Sequence, residues 1–410
     1  MEMSAARRWW ILVVSMTAAI TTTATVNCTA FLIPQLIHDG LPVQRAGLFA
    51  AAAPAGLLLT TIVWGAMIDR YGERRVLLVS LSGAAIGLAA TVSGFAAGAP
   101  LPVIAGGLFV SSAMAASGNG ASGRIVVGWF PASSRGTAMG IRQTSQPLGI
   151  ALLSLTMPYL ASRVGLTWAM TVPLTVAVVS VILVFAFIVD PPRPESGAAA
   201  AEARENPYRE DSFLVRIHAV SLLLVLPQGA VWTWGITWLI VGMHWAPATA
   251  GLLVSASQLF GALGRIAAGT WSDRLGSRTS PIRWIALAAA LTMGALGALT
   301  AVGSPVAVLV FLVASVVTVA DNGLAFTAIA EKAGPFYSGR ALGIQNTGQF
   351  LVTTAAGPIL GGLIHTAGFA AAFAIVGLAP LVAFPLVPRD ATPRDGVTRE
   401  PAPSGTPNRT

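Results

Sequence analysis

Gly65-x-x-x-Asp69-Arg70-Tyr71-Gly72-Glu73-Arg74-Arg75 returns about two hundred residues later as Gly269-x-x-x-Asp273-Arg274-Leu275-Gly276-Ser277-Arg278. Each copy closes a long apolar run with an Asp-Arg pair, a glycine that permits a tight turn, and basic residues that must stay in water. The two stretches read as matching loops between membrane helices.

The rest of the chain agrees. Of its 410 residues 55% are hydrophobic and only 10% charged, whereas an ordinary soluble domain carries about 25% charged residues. Hydropathy divides it into twelve runs near the length of about 20 apolar residues that crosses a bilayer. They fall at 9–31, 46–68, 75–96, 101–128, 137–160, 166–189, 213–240, 248–270, 281–302, 305–330, 339–364 and 368–388. The expected fold is an all-α membrane protein with twelve transmembrane helices in two pseudo-symmetric six-helix bundles. Residues 1–189 form the N-terminal bundle, 190–212 a cytoplasmic linker, 213–388 the C-terminal bundle and 389–410 a disordered cytoplasmic tail. The linker reading rests on Pro191, Pro192, Pro194 and Pro207 amid mixed charge, and the tail reading on its Pro, Arg, Asp and Thr content.

Arg7 and Arg8 before the first run resemble the start of a signal peptide, but no small-residue cleavage site precedes Leu32. The run is therefore expected to stay as the first helix. Of the 24 Lys and Arg residues, 19 fall at the termini and the even-to-odd loops, and only Arg45 and Arg163 fall in the opposite loops. This bias places both termini in the cytoplasm of a multi-pass protein of the cytoplasmic (inner) membrane. The net charge of +8 is scattered over short loops, which argues against nucleic acid as a partner. The lone Cys28 excludes an intrachain disulfide and reads as a small packing residue.

The halves also match at a spacing of 203 residues, with Gly118-Asn119-Gly120 against Asp321-Asn322-Gly323 and Gly140-Ile141-Arg142-Gln143-Thr144 against Gly343-Ile344-Gln345-Asn346-Thr347. Such register argues duplication of a six-helix unit. Twelve spans in two halves, with the Asp-Arg-x-Gly loop after helix two and its relic after helix eight, resemble the prokaryotic secondary transporters of the major facilitator superfamily. The resemblance covers nearly the whole chain and leaves the subfamily and substrate open.

That resemblance implies a conformational gate. In the superfamily the loop aspartate packs on the start of helix eleven, where free N–H groups favour a carboxylate, and the basic residues latch the halves in the outward-facing state. Carried over, Asp69 meets the helix start near Gly339 and Arg340, and Asp273 its mirror near Arg135 and Gly136. Gly65, Arg70, Gly72, Arg74, Arg274, Gly276 and Arg278 complete the two gates. The competing reading is that these charges only set topology.

Asp321 is the one acid found inside a run, roughly 15 Å from its cytoplasmic end by helical rise. Its counterpart is Gly118, so it is not a shared scaffold feature. An intramembrane carboxylate is costly and commonly serves transport, which makes Asp321 the proton-coupling candidate; a neutral, hydrogen-bonded structural acid is the alternative. Arg265 lies opposite Thr61 and resembles the helix-eight arginine that grips a carboxylate in the monocarboxylate and oxalate branches. Helix eleven here lacks the lysine of the oxalate branch and offers Gln345, Asn346 and Gln349. Arg265 could instead snorkel or pair structurally with Asp321. Arg124 and Arg142, near cytoplasmic ends, read as snorkelling or gate-bracing residues.

Substrate-binding candidates are Arg265, Trp232, Asn27, Gln345 and Gln349. Thr21, Thr25 and Cys28 form one helical stripe beside Thr23 and Asn27, and Trp238 reads as interfacial belt. There is no phosphate-binding Gly-x-x-x-x-Gly-Lys-Ser/Thr loop, no Ser-His-Asp set within spans and no His/Asp/Glu metal cluster; all four histidines sit near loops or span ends. These features exclude enzyme and ATP-driven readings and imply neither cofactor nor metal. The expected function is alternating-access transport of a small organic solute, favoured as a proton-coupled organic anion, by a monomer in the lipid bilayer. Proton-antiport efflux of drugs or metabolites and a non-transporting solute receptor stand as alternatives.

Overall fold

The computed structural model describes residues 4–130, 138, 141–191, 207–333 and 338–389. Its helices are α1 (Ala5–His38), α2 (Val43–Tyr71), α3 (Glu73–Ala96), α4 (Leu101–Ala115), α5 (Ser117–Trp129), α6 (Ser145–Val164) and α7 (Leu166–Phe187) in the first half. The second half holds α8 (Phe213–Thr237), α9 (Pro247–Leu275), α10 (Thr279–Ala301), α11 (Val306–Ala320), α12 (Asn322–Ala333), α13 (Ser338–Val376) and α14 (Leu378–Leu386). Among the described residues ten stretches are long and apolar enough to cross a membrane. One of them, Ala341–Leu386, contains two spans, because α13 breaks at Gly368 (φ 79, ψ 172). With α6 the crossings number twelve, in two six-helix bundles, as expected from the hydropathy.

The paired loops are short because glycine turns the chain there. Gly72 sits between α2 and α3 at φ 94, and Gly276 closes α9 at φ 59, in the left-handed region that a side chain disfavours. Three differences from the expected spans matter. Residues 131–137, 139 and 140, at the start of the fifth span, lie outside the described residues, and α6 begins at Ser145. The fourth span is interrupted at Ala116, between α4 and α5. The tenth is interrupted at Asp321, between α11 and α12.

A broken transmembrane helix leaves backbone carbonyls that need donors, since hydrocarbon supplies none. In the first half α2 and α1 provide them. Trp64 Nε1 donates to the Ala113 carbonyl at 2.7 Å, Thr60 Oγ1 reaches the same oxygen at 2.7 Å, and Thr22 Oγ1 donates to Ala115 at 2.6 Å. Gly118 lets α1 approach, for a Cβ there would stand 2.4 Å from the Ala18 carbonyl oxygen.

The bundles meet through α2 against α13 and α6 against α9. Both contacts rest on a missing side chain, at positions related by the duplication. A Cβ on Gly47 would meet the Gly357 carbonyl oxygen at 2.5 Å, and one on Gly251 the Ser154 carbonyl oxygen at 2.0 Å. The apolar core follows the same division. At the end of the molecule away from the Gly72 and Gly276 turns, here the distal end, one cluster joins the halves, containing Leu36, Phe49, Ala50, Trp234, Trp238 and Leu360. At the opposite, basic end the buried clusters separate, with Leu77, Leu81 and Ile125 in one half and Ile217, Ile282 and Ile329 in the other. Among the described residues one buried apolar cluster spans both halves at the distal end, whereas separate buried clusters fill the two halves toward the basic end, with the half-buried Phe350 of the second half packed against that of the first.

Gly47→Val or Gly251→Val is therefore expected to force the distal ends apart. Spin labels at Asp39 and Ala246 should report a longer distance in either variant, whereas Gly65→Ala, with nothing within 4 Å of the new Cβ, should leave it unchanged. Equal distances in all three proteins would show that these glycines do not control the distal contact.

Candidate functional site

The break in the tenth span places the two intramembrane charges side by side without joining them. Arg265, half-buried on α9, donates its Nε–H to the Val319 carbonyl at 3.3 Å. Among the described residues its two terminal guanidinium nitrogens have no partner. Asp321, 2% exposed, caps α11 and starts the turn into α12. The guanidinium and carboxylate are near enough to act on each other electrostatically, yet no N–O pair between them lies within 4.0 Å. Of the sequence readings for Arg265, a direct salt bridge is thus absent in this conformation.

Beside this pair runs a chain of polar side chains through the second half. Tyr208 Oη and His218 Nε2 are 2.8 Å apart and their rings stack. His218 Nδ1 lies 2.7 Å from Gln345 Oε1, and Gln345 Nε2 donates to Ser221 Oγ. Gln349 Nε2 donates to Ser221 Oγ at 2.9 Å and to Asn322 Oδ1 at 3.3 Å, and Asn322 Nδ2 donates to Gln228 Oε1 at 2.9 Å. Because Gln345 Oε1 can only accept, His218 carries its proton on Nδ1 and, when neutral, accepts from Tyr208 through Nε2. The chain joins α8, α12 and α13 and passes through Asn322, the residue after Asp321, to Gln228.

Of the expected binding residues, the structure brings Arg265, Asp321, Gln345 and Gln349 into this region of the second half. Gln345 is 1% exposed and its amide is taken up by His218 and Ser221, so it braces the bundle in this conformation. Gln349 is half-buried and keeps its Oε1 free of protein partners among the described residues. Trp232 packs on the shared core with a buried indole N–H that has no partner among the described residues. Asn27 folds its Nδ2 back onto the Thr23 carbonyl at 2.8 Å. The stripe beside it faces a neighbouring helix: Thr21 Oγ1 donates to Ser180 Oγ of α7 at 2.8 Å, and Thr25 and Cys28 are fully buried. Trp238 is no belt residue. It is fully buried against Phe311 and Phe373 where the chain widens into a π turn at Trp238–Gly242.

The gate residues bond mostly within their own halves. Arg74 donates its backbone N–H to Asp190 Oδ1 at 2.6 Å and its Nη2 to the Phe185 carbonyl at 2.8 Å, tying α3 to the end of α7. Arg278 bridges Asp273 at 2.5 Å and Glu331 at 3.1 Å. Arg70 stands over the Tyr71 ring, and Gly65, Arg274 and Gly276 are exposed at the basic end. The Asp69 side chain and the expected partners Arg135, Gly136 and the side chain of Arg340 lie outside the described residues.

Two charged groups escaped the sequence reading. Glu73 is 2% exposed and meets Arg124 Nε at 3.1 Å, which makes Arg124 a brace between α5 and α3. Its position in a loop motif gave no sign of burial. His218, taken for a residue near a span end, is buried by Tyr208. Near that turn, the hydrogen bond from Lys332 holds the Asp211 carboxyl below the usual carboxylate range. A depressed folded-state pKa contributes stability above about pH 4 that is lost as the pH falls further, so this pair does not respond near neutrality. Among the described residues no group of three or more His, Cys, Asp or Glu could hold a metal ion.

Comparison with known proteins agrees with this architecture. The family model described as Major Facilitator Superfamily matches residues 15–356. An uncharacterized MFS-type transporter of Mycobacterium tuberculosis is 46% identical over 384 residues, 93% of this chain and 85% of that protein. The inward open conformation of the xylose transporter of E. coli superposes with a TM-score of 0.76 at 15% identity, covering 95% of this chain and 98% of that one. A bacterial homolog of the human lysosomal transporter Spinster, inward-facing and unoccupied, gives 0.72 at 13% identity, covering 94% and 97%. At such identities the solved structures speak for the fold alone.

His218→Ala removes the partner of both Tyr208 and Gln345. Leaving a buried acceptor unpaired costs about 1–3 kcal/mol, so the unfolding midpoint in detergent should fall. The double variant His218→Ala/Gln345→Ala should lose less than the sum of the single losses, because the two share one bond. Strict additivity would show that the chain does not act as a unit.

Proposed function

The chain belongs to the major facilitator superfamily of membrane transporters, and we propose that it carries a small organic anion together with a proton, using Arg265 for the anion and Asp321 for the proton. The observation that carries this reading is the spacing of the pair. Two ionisable groups of opposite sign, half-buried Arg265 and buried Asp321, sit beside the same turn, electrostatically coupled but beyond 4.0 Å, and among the described residues the terminal guanidinium nitrogens of Arg265 have no partner.

Electrostatics explains why anion and proton would travel together. Empty, the site holds a guanidinium cation and a carboxylate anion and is neutral overall. Loading the anion alone would leave net negative charge in a poorly solvated place, which is strongly disfavoured. Protonating the Asp321 carboxylate as the anion arrives restores neutrality, with Arg265 transferring its pairing from Asp321 to the substrate. Guanidinium suits the task because it stays charged and its planar donors match a carboxylate.

The glycine contacts supply the mechanical side. The halves touch at the distal end through Gly47 and Gly251, so rocking about the site would open that end and close the basic end. The positive-inside bias assigns the basic end to the cytoplasm, with both termini there and the protein in the inner membrane. In that orientation, the apolar cluster shared by the halves at the distal end supports an inward-facing reading. Both halves come from one polypeptide, so a monomer is sufficient.

A solute screen by thermal shift in detergent tests the substrate class. Small carboxylates should raise the melting temperature of the wild type and not of Arg265→Ala; hits that are all neutral and indifferent to that change would overturn the anion assignment. With a hit in hand, Asp321→Asn in proteoliposomes should keep exchange of labelled for unlabelled solute but lose accumulation driven by a pH gradient. Accumulation that persists in Asp321→Asn would remove Asp321 from coupling.

A further inference from the structure

The two broken spans present the same problem and meet it with different chemistry. In the first half α2 holds the interruption with neutral donors, Trp64 Nε1 and Thr60 Oγ1, both 2.7 Å from the Ala113 carbonyl oxygen. In the second half the equivalent helix is α9, and the donor is Arg265, 3.3 Å from the Val319 carbonyl oxygen. Arg265 stands where the first half has Thr61, the neighbour of Thr60. A mechanical task done by an indole and a hydroxyl on one side is done by a charged, forked group on the other.

We propose that Arg265 is the positioning residue of the second interruption, and that a carboxylate drawn to its guanidinium withdraws the bond from Val319, so that occupancy of the site sets the backbone beside Asp321. The second clause rests on the anion reading above. The bond to Val319 is long and its acceptor neutral. A carboxylate forms charge-assisted bonds that are shorter and roughly twice as strong, and it engages a guanidinium with two parallel donors. When those donors include Nε, the carbonyl loses the donor that the protein supplies to it. The turn at Asp321 must then tighten or rotate. Its other flank is already tethered, since Asn322 is bonded to Gln228 of α8 and Gln349 of α13. A shift of the turn therefore reaches the two helices beside the amide chain. Indole and hydroxyl donors attract no anion so strongly, which leaves the first interruption a fixed joint and the second a responsive one.

Hydrogen–deuterium exchange of the full chain in detergent, read by mass spectrometry, tests this. Arg265→Ala should speed exchange several-fold in the segment 319–325 and leave 113–119 unchanged. The double variant Thr60→Ala/Trp64→Phe should do the reverse. Lactate added to the wild type, against chloride at equal ionic strength, should speed exchange in 319–325 alone, and have no effect in Arg265→Ala. Should Arg265→Ala fail to fold, Arg265→Gln takes its place, with the melting temperature as the check on folding. Unchanged exchange at 319–325 in a folded Arg265 variant overturns the positioning role. Lactate that raises the wild-type melting temperature without changing that exchange overturns the withdrawal and leaves the anion reading standing. If instead the variant loosens the segment while no carboxylate stabilises the wild type, the anion reading and the withdrawal fall together and the positioning role survives.

Discussion

A backbone carbonyl inside a bilayer must find a donor within the protein, and this requirement organises the molecule wherever its helices break. Regular helices satisfy themselves; the interruptions at Ala116 and Asp321 do not. Around the first, Thr22, Thr60 and Trp64 converge from α1 and α2. The second receives Arg265, while the side chain of Asn322 is held by Gln228 and Gln349. Helix packing and polar placement around the two interruptions are thus answers to a single demand. A like demand acts at helix ends, where Asp190 Oδ1 accepts the backbone N–H of Arg74 in the first turn of α3.

The duplication separates what is mechanical from what is chemical. Gly47 and Gly251 occupy related positions and do the same work, letting a carbonyl of the opposite bundle approach to a distance that a side chain would forbid. Gly72 and Gly276 likewise turn the chain at related places. Gly118 and Asp321 are also related, yet one admits α1 closely and the other buries a carboxylate. A symmetric pair of joints would allow two bundles to rock, whereas on the proposed reading the asymmetric charge pair would give the motion one place at which a solute is recognised.

Much of this was legible in the sequence, because length and apolarity decide what crosses a bilayer and a repeated loop reveals duplication. The interruptions were not. Residues 113–118 and 318–322 contain no proline, and nothing in their composition forbids a continuous helix. Periodicity showed that Thr21, Thr25 and Cys28 share a face, but it cannot say whether a face meets a cavity or another helix; here Ser180 of α7 meets it. Trp238 stood near the end of an apolar run, where an interfacial residue is reasonable, and the π turn with Phe311 and Phe373 encloses it instead. His218 and Glu73 were hidden for a related reason. Their burial depends on Tyr208 and Arg124, partners brought by the linker turn and by α5.

The polar chain from Tyr208 to Gln228 gives the second bundle a property the described part of the first lacks. Hydroxyls in the first half mostly bond to backbone carbonyls, such as Thr22 to Ala115 and Thr25 to Thr21. Bonds of that kind fix one helix against another. In the second half, amide bonds to amide and imidazole to amide across α8, α12 and α13. Side-chain pairs of this sort can exchange partners without breaking a helix, and a hydrogen-bonded network favours discrete arrangements over intermediates. An element with discrete arrangements, passing beside Asp321 through Asn322, is where on the proposed reading a proton or an anion would have the most leverage over the positions of helices.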